Sequence, residues 1–267
     1  MRGRTAEKIF DGARCRENAE AGSPLFPAGF QMCMLMEMQS QGKKHGTLLL
    51  AVDACGATGS VALGCFEPQC SHCLLGQREL EGRSFSSTLI ASIGELLQEA
   101  DIRLEELAGI VAVSGPGSFT GVRVGLSAVK GLAEAAELPV VAVTRLEIMT
   151  HRNQVEAAAL DAHRHEVFLR LGDGRELLAG HEELAALPAA ARIAVSDDAA
   201  AALLEDAWPG SSILRVPAPT AADALRLGAP RLLAGERADV AALDGHYLRR
   251  SDAEIFGDPL RKDAARG

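Results

Sequence analysis

The chain has 267 residues and a mass of 28.0 kDa, with 48% hydrophobic and 24% charged residues and a mean hydropathy near zero, the balance of a globular protein rather than a disordered or membrane one. It is long enough to bury a core without the metal or disulfide staples that chains below roughly 80 residues usually need. The net charge of −9 is unevenly placed: residues 1–45 carry seven basic and five acidic side chains, so the remainder holds 20 basic against 31 acidic groups, a net −11. A body that acidic repels phosphate backbones, which argues against sequence-independent nucleic-acid binding by this chain alone. Aromatic residues make up 4%, and Trp208 and Tyr247 are the only indole and phenol, leaving few platforms on which single-stranded bases could stack.

No apolar run approaches the ~20 residues needed to span a bilayer, and the start lacks a basic segment followed by an apolar one. A cytoplasmic location without membrane attachment is therefore expected. The six cysteines (Cys15, Cys33, Cys55, Cys65, Cys70 and Cys73) are expected to be thiols there.

Residues 1–45 mix Gly, Pro, Arg and Glu without helical or strand period and end in Met32, Met34, Met36 and Met38, four of the six methionines. This segment is expected to be a disordered extension. Two origins are open: a real tail, or a start codon assigned too early, with translation beginning at a methionine such as Met38. From Thr47 the pattern becomes periodic. Leu48–Asp53 (LLLAVD) is a continuous apolar run closed by an aspartate, Gly59–Phe66 alternates, Glu67–Gln69 is a polar turn and Leu74–Leu80 returns as a third strand. Ser86 or Ser87 can cap a helix reaching Ala100, whose Leu89, Ile93, Leu96, Leu97 and Ala100 form one apolar stripe. Gly109–Ser114 reads as a buried strand, Gly115–Gly117 as a turn, Thr120 to Glu137 as a helix stopped by Pro139, and Val140–Val143 as the next strand.

Three strands, a helix, a strand, a helix and a strand make a ribonuclease-H-like unit, the building block of actin-like folds. The second half repeats it in reduced form. Ala157–Asp161, Glu166–Leu171 and Arg175–Ala179 read as strands, with Gly172–Gly174 a turn; Glu182–Leu187, Ile193–Val195, Ala199–Glu205, Ser212–Leu214 and Thr220–Ala234 then alternate helix and strand. The expected organisation is an α/β, actin/Hsp70/sugar-kinase-like chain with two ribonuclease-H-like lobes of mixed sheet flanked by helices. Its parts are residues 1–45 (extension), 46–150 (first lobe), 151–219 (second, reduced lobe) and 220–267 (a C-terminal helix and tail).

The stretch with chemical content is Ser114–Ala136, SGPGSFTGVRVGLSAVKGLAEAA. Gly115 and Gly117 allow tight turns at the carboxyl end of a strand, and Ser118 or Thr120 can cap the following helix. A helix start beside a glycine loop can hold an anion, and Arg123 could reach one or could simply be solvated. Three familiar motifs fail on spacing. GxxxxGK[ST] is lacking, Gly115, Gly117 and Gly121 give GxGxxxG, and Pro116 stands where a GxSxG elbow needs glycine. Gly121, Gly125 and Ala128 form a small-residue face beside Leu132. Glycine inside a helix costs ~1 kcal/mol, so close packing is expected there, within the lobe or onto a partner's helix.

The segments LLLAVDACGATGSVALG, VAVSGPGSFTGVRVGLSAVKGLAEAAELPVVAVTRLEIM, ALDAHRHEVFL and GHYLRR, in this order over about residues 47–250, resemble the TsaB family, formerly YeaZ. The resemblance implies a two-lobed actin/Hsp70-like fold and a non-catalytic subunit that binds and activates TsaD for threonylcarbamoyl transfer to adenosine 37 of tRNA, together with the ATPase TsaE. It also implies that the helices Ser86–Ala100 and Thr120–Ala136 pack against the equivalent pair on TsaD, with a homodimer through the same surface when TsaD is absent. The residues assigned to that surface are Leu89, Ile93, Leu97, Gly121, Gly125, Ala128 and Leu132. The motif loop is Gly115, Pro116, Gly117, Ser118, Phe119, Thr120 and Arg123. ATP and metal are expected on partner subunits and tRNA only through the complex. Two positions depart from the family: Phe85 stands where a histidine is common, and Phe168 where a tyrosine is common.

Other constellations were weighed. TsaD holds its metal with an HxxxH pair, but His45, His72, His151, His163, His165, His181 and His246 include no two residues four apart, so no metal site is expected. His163 and His165 are expected to share one strand face as a polar surface pair. Cys65, Cys70, His72 and Cys73 could offer zinc ligands but sit within nine residues of one hairpin, where incidental thiols are the expectation. Asp53 occupies the place where actin-like ATPases anchor a metal, without a matching glycine-rich phosphate loop in the second lobe. No catalytic residue is assigned; the competing reading is an actin-like ATPase or glycoprotease-like peptidase acting on its own.

Overall fold

A computed structural model describes residues 46–67, 70–81 and 85–249. The expectation of a disordered extension falls on residues 1–45, and that of a tail partly on residues 250–267, both outside the described residues.

Two five-stranded mixed sheets form the frame. In the first, the strands β1 (Thr47–Asp53), β2 (Thr58–Glu67), β3 (Cys70–Glu81), β4 (Gly109–Val113) and β5 (Val140–Val143) lie in the order β3-β2-β1-β4-β5. The first three pair antiparallel, while β4 and β5 run parallel to β1. The second sheet repeats this plan with β6 (Ala157–Asp161), β7 (Glu166–Arg170), β8 (Glu176–Gly180), β9 (Arg192–Val195) and β10 (Ser212–Arg215), ordered β10-β9-β6-β7-β8. Its first three strands are again antiparallel and the last two parallel. This is the duplicated ribonuclease-H-like plan of the actin-like fold.

The continuous apolar character of β1 follows from burial on both faces. One face of the first sheet carries α1 (Phe85–Glu99) and α2 (Phe119–Ala135). The other carries α6 (Ala221–Leu233), which follows the second sheet in the chain yet sends Ala221, Ala224, Leu225, Ala229 and Leu232 into the first core. In the second sheet, α4 (His181–Ala186) and α5 (Asp198–Ala207) cover one face and α3 (Arg145–Asn153) the other. Trp208 is buried with α4 and α5, and its Nε1 donates to the Leu184 carbonyl at 2.8 Å. The only indole is thus core, not a stacking platform.

Helix α3 was not among the expected elements. A capping box starts it, with the Thr144 hydroxyl accepting from Glu147 N and the Glu147 carboxylate accepting from Thr144 N, and it ends on Gln154 in the left-handed region. The β6–β7 turn also differs from expectation. His163, Arg164 and His165 are exposed and have φ of 61°, 56° and 60°, so the two histidines lie in a left-handed turn and not on one strand face. The reason is local: Asp161 Oδ1 accepts from His163 N and Glu166 N donates to the His163 carbonyl, closing the turn before β7 begins.

Two glycines test how tightly the helices are seated. A Cβ on Gly228 of α6 would stand 2.5 Å from Cγ1 of Val111, whereas one on Gly131 of α2 would meet nothing within 4 Å. Alanine is favoured over glycine in a helix by ~1 kcal/mol, while overpacking against a stiff valine costs about 1–3 kcal/mol. Gly228→Ala is therefore expected to destabilise the protein and Gly131→Ala to stabilise it slightly, as read by urea denaturation. Equal shifts for the two variants would contradict this packing.

Candidate functional site

The motif loop joins β4 to α2. Ser114 donates from its N to the Val143 carbonyl at 3.0 Å, and Gly115 takes φ of +120°, a left-handed value suited to glycine. Ser118 caps α2, its Oγ accepting from Gly121 N at 3.4 Å, and Ser118 N donates to the Cys55 carbonyl at 2.8 Å. Two donors that an anion would use are thus taken within the chain. The glycines of the loop and of α2 face the end of β1: a Cβ on Gly117 of the loop would lie 2.0 Å from Cys55 O, one on Gly121 2.0 Å from Ala54 O, and one on Gly125 3.1 Å from the Ala54 Cβ.

The residues expected at a partner surface take the following places within the lobe. Leu89, Ile93 and Leu97 are buried in the core of the first lobe, and Gly121 and Gly125 seat α2 on Ala54. Ala128 and Leu132 are half-buried against that same core. An apolar stripe buries where water is first excluded, and in this lobe that is the helix's own sheet. Phe85, where the family commonly has histidine, is likewise interior, with its ring against Gly59 and Gly121. The outward surface of the two helices carries Ile90, 55% exposed, with exposed Ala91, Gly94, Ser127 and Gly131. No sequence signal marked these, because small and polar residues on a helix's wet side carry no period of their own.

The second family-like string, GHYLRR, folds back onto the motif loop. His246 N donates to the Ser114 carbonyl at 2.8 Å, and Tyr247 stacks on Phe119 with ring centroids 5.0 Å apart. The Arg123 guanidinium lies 5.8 Å from the Phe119 centroid and 5.7 Å from that of Tyr247, a cation–π position. Arg123 is spent on aromatic rings and not on the glycine loop. The same strap reaches the second sheet: Arg249 pairs with Glu166, and His246 Nε2 stands 3.0 Å from Glu176 Oε2. Glu176 also accepts from Thr144 Oγ1 at 2.6 Å and Arg170 Nη1 at 2.8 Å. Burial opposes ionisation of Glu176, but the hydrogen bonds from His246, Thr144 and Arg170 together outweigh it and hold its carboxyl below the ordinary range.

Between the sheets, Asp53 at the end of β1 is 2% exposed and faces Arg145, whose Nε lies 3.8 Å from Asp53 Oδ2. Burial raises the Asp53 pKa and the Arg145 charge opposes that rise. The guanidinium also approaches Gly56, where a Cβ would sit 3.1 Å from Nη2. An arginine thus stands where an actin-like ATPase would need a cation, and this donor set does not fit a metal. Neighbouring Cys55 is buried, donates its Sγ proton to the Val113 carbonyl at 3.3 Å, and has its pKa pushed well up by burial and by Asp53. A thiol held protonated in this way is a poor nucleophile.

With this geometry in place, comparison with known proteins is informative. A family model described as TsaD: tRNA N6-adenosine threonylcarbamoyltransferase matches residues 78–210. A protein of Haemophilus influenzae named tRNA threonylcarbamoyladenosine biosynthesis protein TsaB is 34% identical over 126 residues, which are 45% of this chain and 51% of that one. The YeaZ structure from Pseudomonas aeruginosa superposes with a TM-score of 0.60 at 27% identity, covering 76% of this chain and all of YeaZ. A second P. aeruginosa structure, described as similar to peptidase YeaZ, gives 0.62 at 29% identity with the same coverage. By these matches the chain is similar to the TsaB/YeaZ family. The sequence match spans about half the length of the curated TsaB relatives or less.

In this chain the strap meets β7 and the start of α3 through Glu176, which gives a pH test. Because the folded-state pKa lies below the ordinary value of 4.5, the stability that ionised Glu176 contributes is complete above that value and is lost as pH falls through the lower one. Glu176→Gln is expected to cost about 1–3 kcal/mol at neutral pH, with the gap to the parent closing as pH falls below 4.5. A gap in urea denaturation that stayed constant over that range would refute the role given to the charge.

Proposed function

We propose that this chain is a non-catalytic scaffold subunit that binds and activates TsaD for threonylcarbamoyl transfer to adenosine 37 of tRNA. The observation that carries the reading is the similarity to TsaB and YeaZ proteins together with two adjacent helices, α1 and α2, whose outer side carries Ile90, Ala91, Gly94, Ser127 and Gly131. Gly94 and Gly131 have open space beyond them, so a second helix pair can approach the two backbones closely. Activation is then a matter of binding the active arrangement of TsaD better than the inactive one.

A non-catalytic role is supported by the state of the groups that chemistry would need. Cys55 is kept protonated, Asp53 is committed to Arg145, and no group of three or more His, Cys, Asp or Glu side chains among the described residues is placed to hold a metal. ATP and metal belong in this reading to the partner subunits, TsaD and TsaE. The net −11 of the body explains why tRNA is reached only through the complex. In the absence of TsaD the same helical surface closes a homodimer. No helix among the described residues is long and apolar enough to cross a membrane, in keeping with a cytoplasmic site of action.

Modified tRNA is the readout. The purified chain alone should produce none, and its addition to TsaD and TsaE should restore the modification. ATP turnover or peptide cleavage by the isolated chain would favour the competing enzymatic reading and overturn this one. Ile90→Glu should weaken TsaD association by at least about tenfold, or ~1.4 kcal/mol, without moving the urea midpoint. A tight complex with that variant would place the interface elsewhere on the molecule.

A further inference from the structure

Of the three cysteines in the β2–β3 hairpin, Cys65 and Cys73 have a placement with no part in the reading above. Side chains alternate along a strand, so Gly59, Val61, Leu63 and Cys65 of β2 share one face of the sheet. That face is the one under α1: a Cβ on Gly59 would meet the Phe85 ring at 2.9 Å, and Gly76, opposite Leu63, would meet Leu96 at 2.7 Å. Arg78, opposite Val61, pairs with Glu99 of α1 at 2.5 Å. Cys65 and Cys73 stand directly opposite one another and close this row. Ladder irregularities flank them, between Leu63 and Gly64 on one side and between Cys65 and Glu67 on the other.

Directly opposed residues of an antiparallel pair have Cα atoms about 4.5–5.5 Å apart, inside the range that a disulfide spans. Both side chains are only half-buried. Small reagents can therefore reach them. Cys55, by contrast, is 1% exposed and donates to the Val113 carbonyl, so the two kinds of thiol differ in access.

We propose that Cys65 and Cys73 form a dithiol modification site that a low-molecular-weight disulfide converts into a cross-strand disulfide. The thiolate of one cysteine attacks a sulfur of the reagent, giving a mixed disulfide and releasing one reagent thiolate. The second cysteine's thiolate then attacks the protein sulfur of that mixed disulfide and releases the other. Two protein thiols are oxidised, the reagent disulfide is reduced to two thiols, and the two protons lost by the cysteines end on those products. The bond ties the end of the hairpin at the margin of the face that holds α1.

Oxidised glutathione is the probe, applied to the full-length reduced protein. The expected product has lost two hydrogens and two titratable thiols, and has a higher urea midpoint that returns to its starting value with reductant. Cleavage after Glu67 by a glutamate-specific protease separates the chain between the two cysteines, so the fragments should stay joined until reduced. Cys70→Ser should still form the bond, whereas Cys65→Ser and Cys73→Ser should stop at a glutathione adduct. Failure to form the bond at any excess of glutathione disulfide, its survival in Cys73→Ser, or its loss in Cys70→Ser would each overturn the assignment.

Discussion

The approach of α2 to the end of β1 is the contact on which the rest of the first lobe depends. At Gly117 and Gly121 a Cβ would lie 2.0 Å from the carbonyl oxygens of Cys55 and Ala54. No side chain fits there, so only glycine lets the helix start against the strand. That seat fixes the direction of α2, lets Ser118 N reach the Cys55 carbonyl, and turns Phe119 and Arg123 toward the strap that carries Tyr247. It also decides which side of the helix is left for a partner, since the glycine side is used.

The same region shows how charges are settled between the two sheets. Asp53 and Arg145 are both nearly buried, an arrangement whose desolvation cost only a close opposite charge can offset. Glu176 is better provided for, with hydrogen bonds from Thr144 and Arg170 and the His246 imidazole 3.0 Å from its other oxygen, and it ties the strap, β7 and the start of α3 to β8. These interior groups serve geometry. The groups that would otherwise suggest chemistry are committed elsewhere: the carboxylate at the end of β1 faces Arg145, and the cysteine beside it is held protonated against the Val113 carbonyl.

Much of this architecture is legible in the residues. The periods of β1, α1, β4 and α2 and the repetition of that order after residue 150 suffice for a duplicated α/β lobe, because burial on a sheet imposes those periods. The string SGPGSFTGVRVG is specific for the same reason that its glycines are immovable. The β6–β7 turn was misread because nothing in His163–Arg164–His165 announces left-handed backbone; the hydrogen bonds of Asp161 and Glu166 impose it. Helix α3 was missed because it is short and its buried Arg145 breaks the polar–apolar pattern.

By itself, the sequence determined the element types, the doubled plan and the family resemblance. Tertiary structure alone decided which side of those helices is free and which core each later element joins. Periodicity shows that a stripe of Leu89, Ile93 and Leu97 will be buried, but a stripe is equally satisfied by its own sheet or by another protein. Only the packed lobe shows that the sheet takes it, leaving Ile90, Gly94 and Gly131 outside. Likewise α6 reads as a terminal helix, yet it closes the first core, packing on β1, β2 and β4 so that their second face is removed from water.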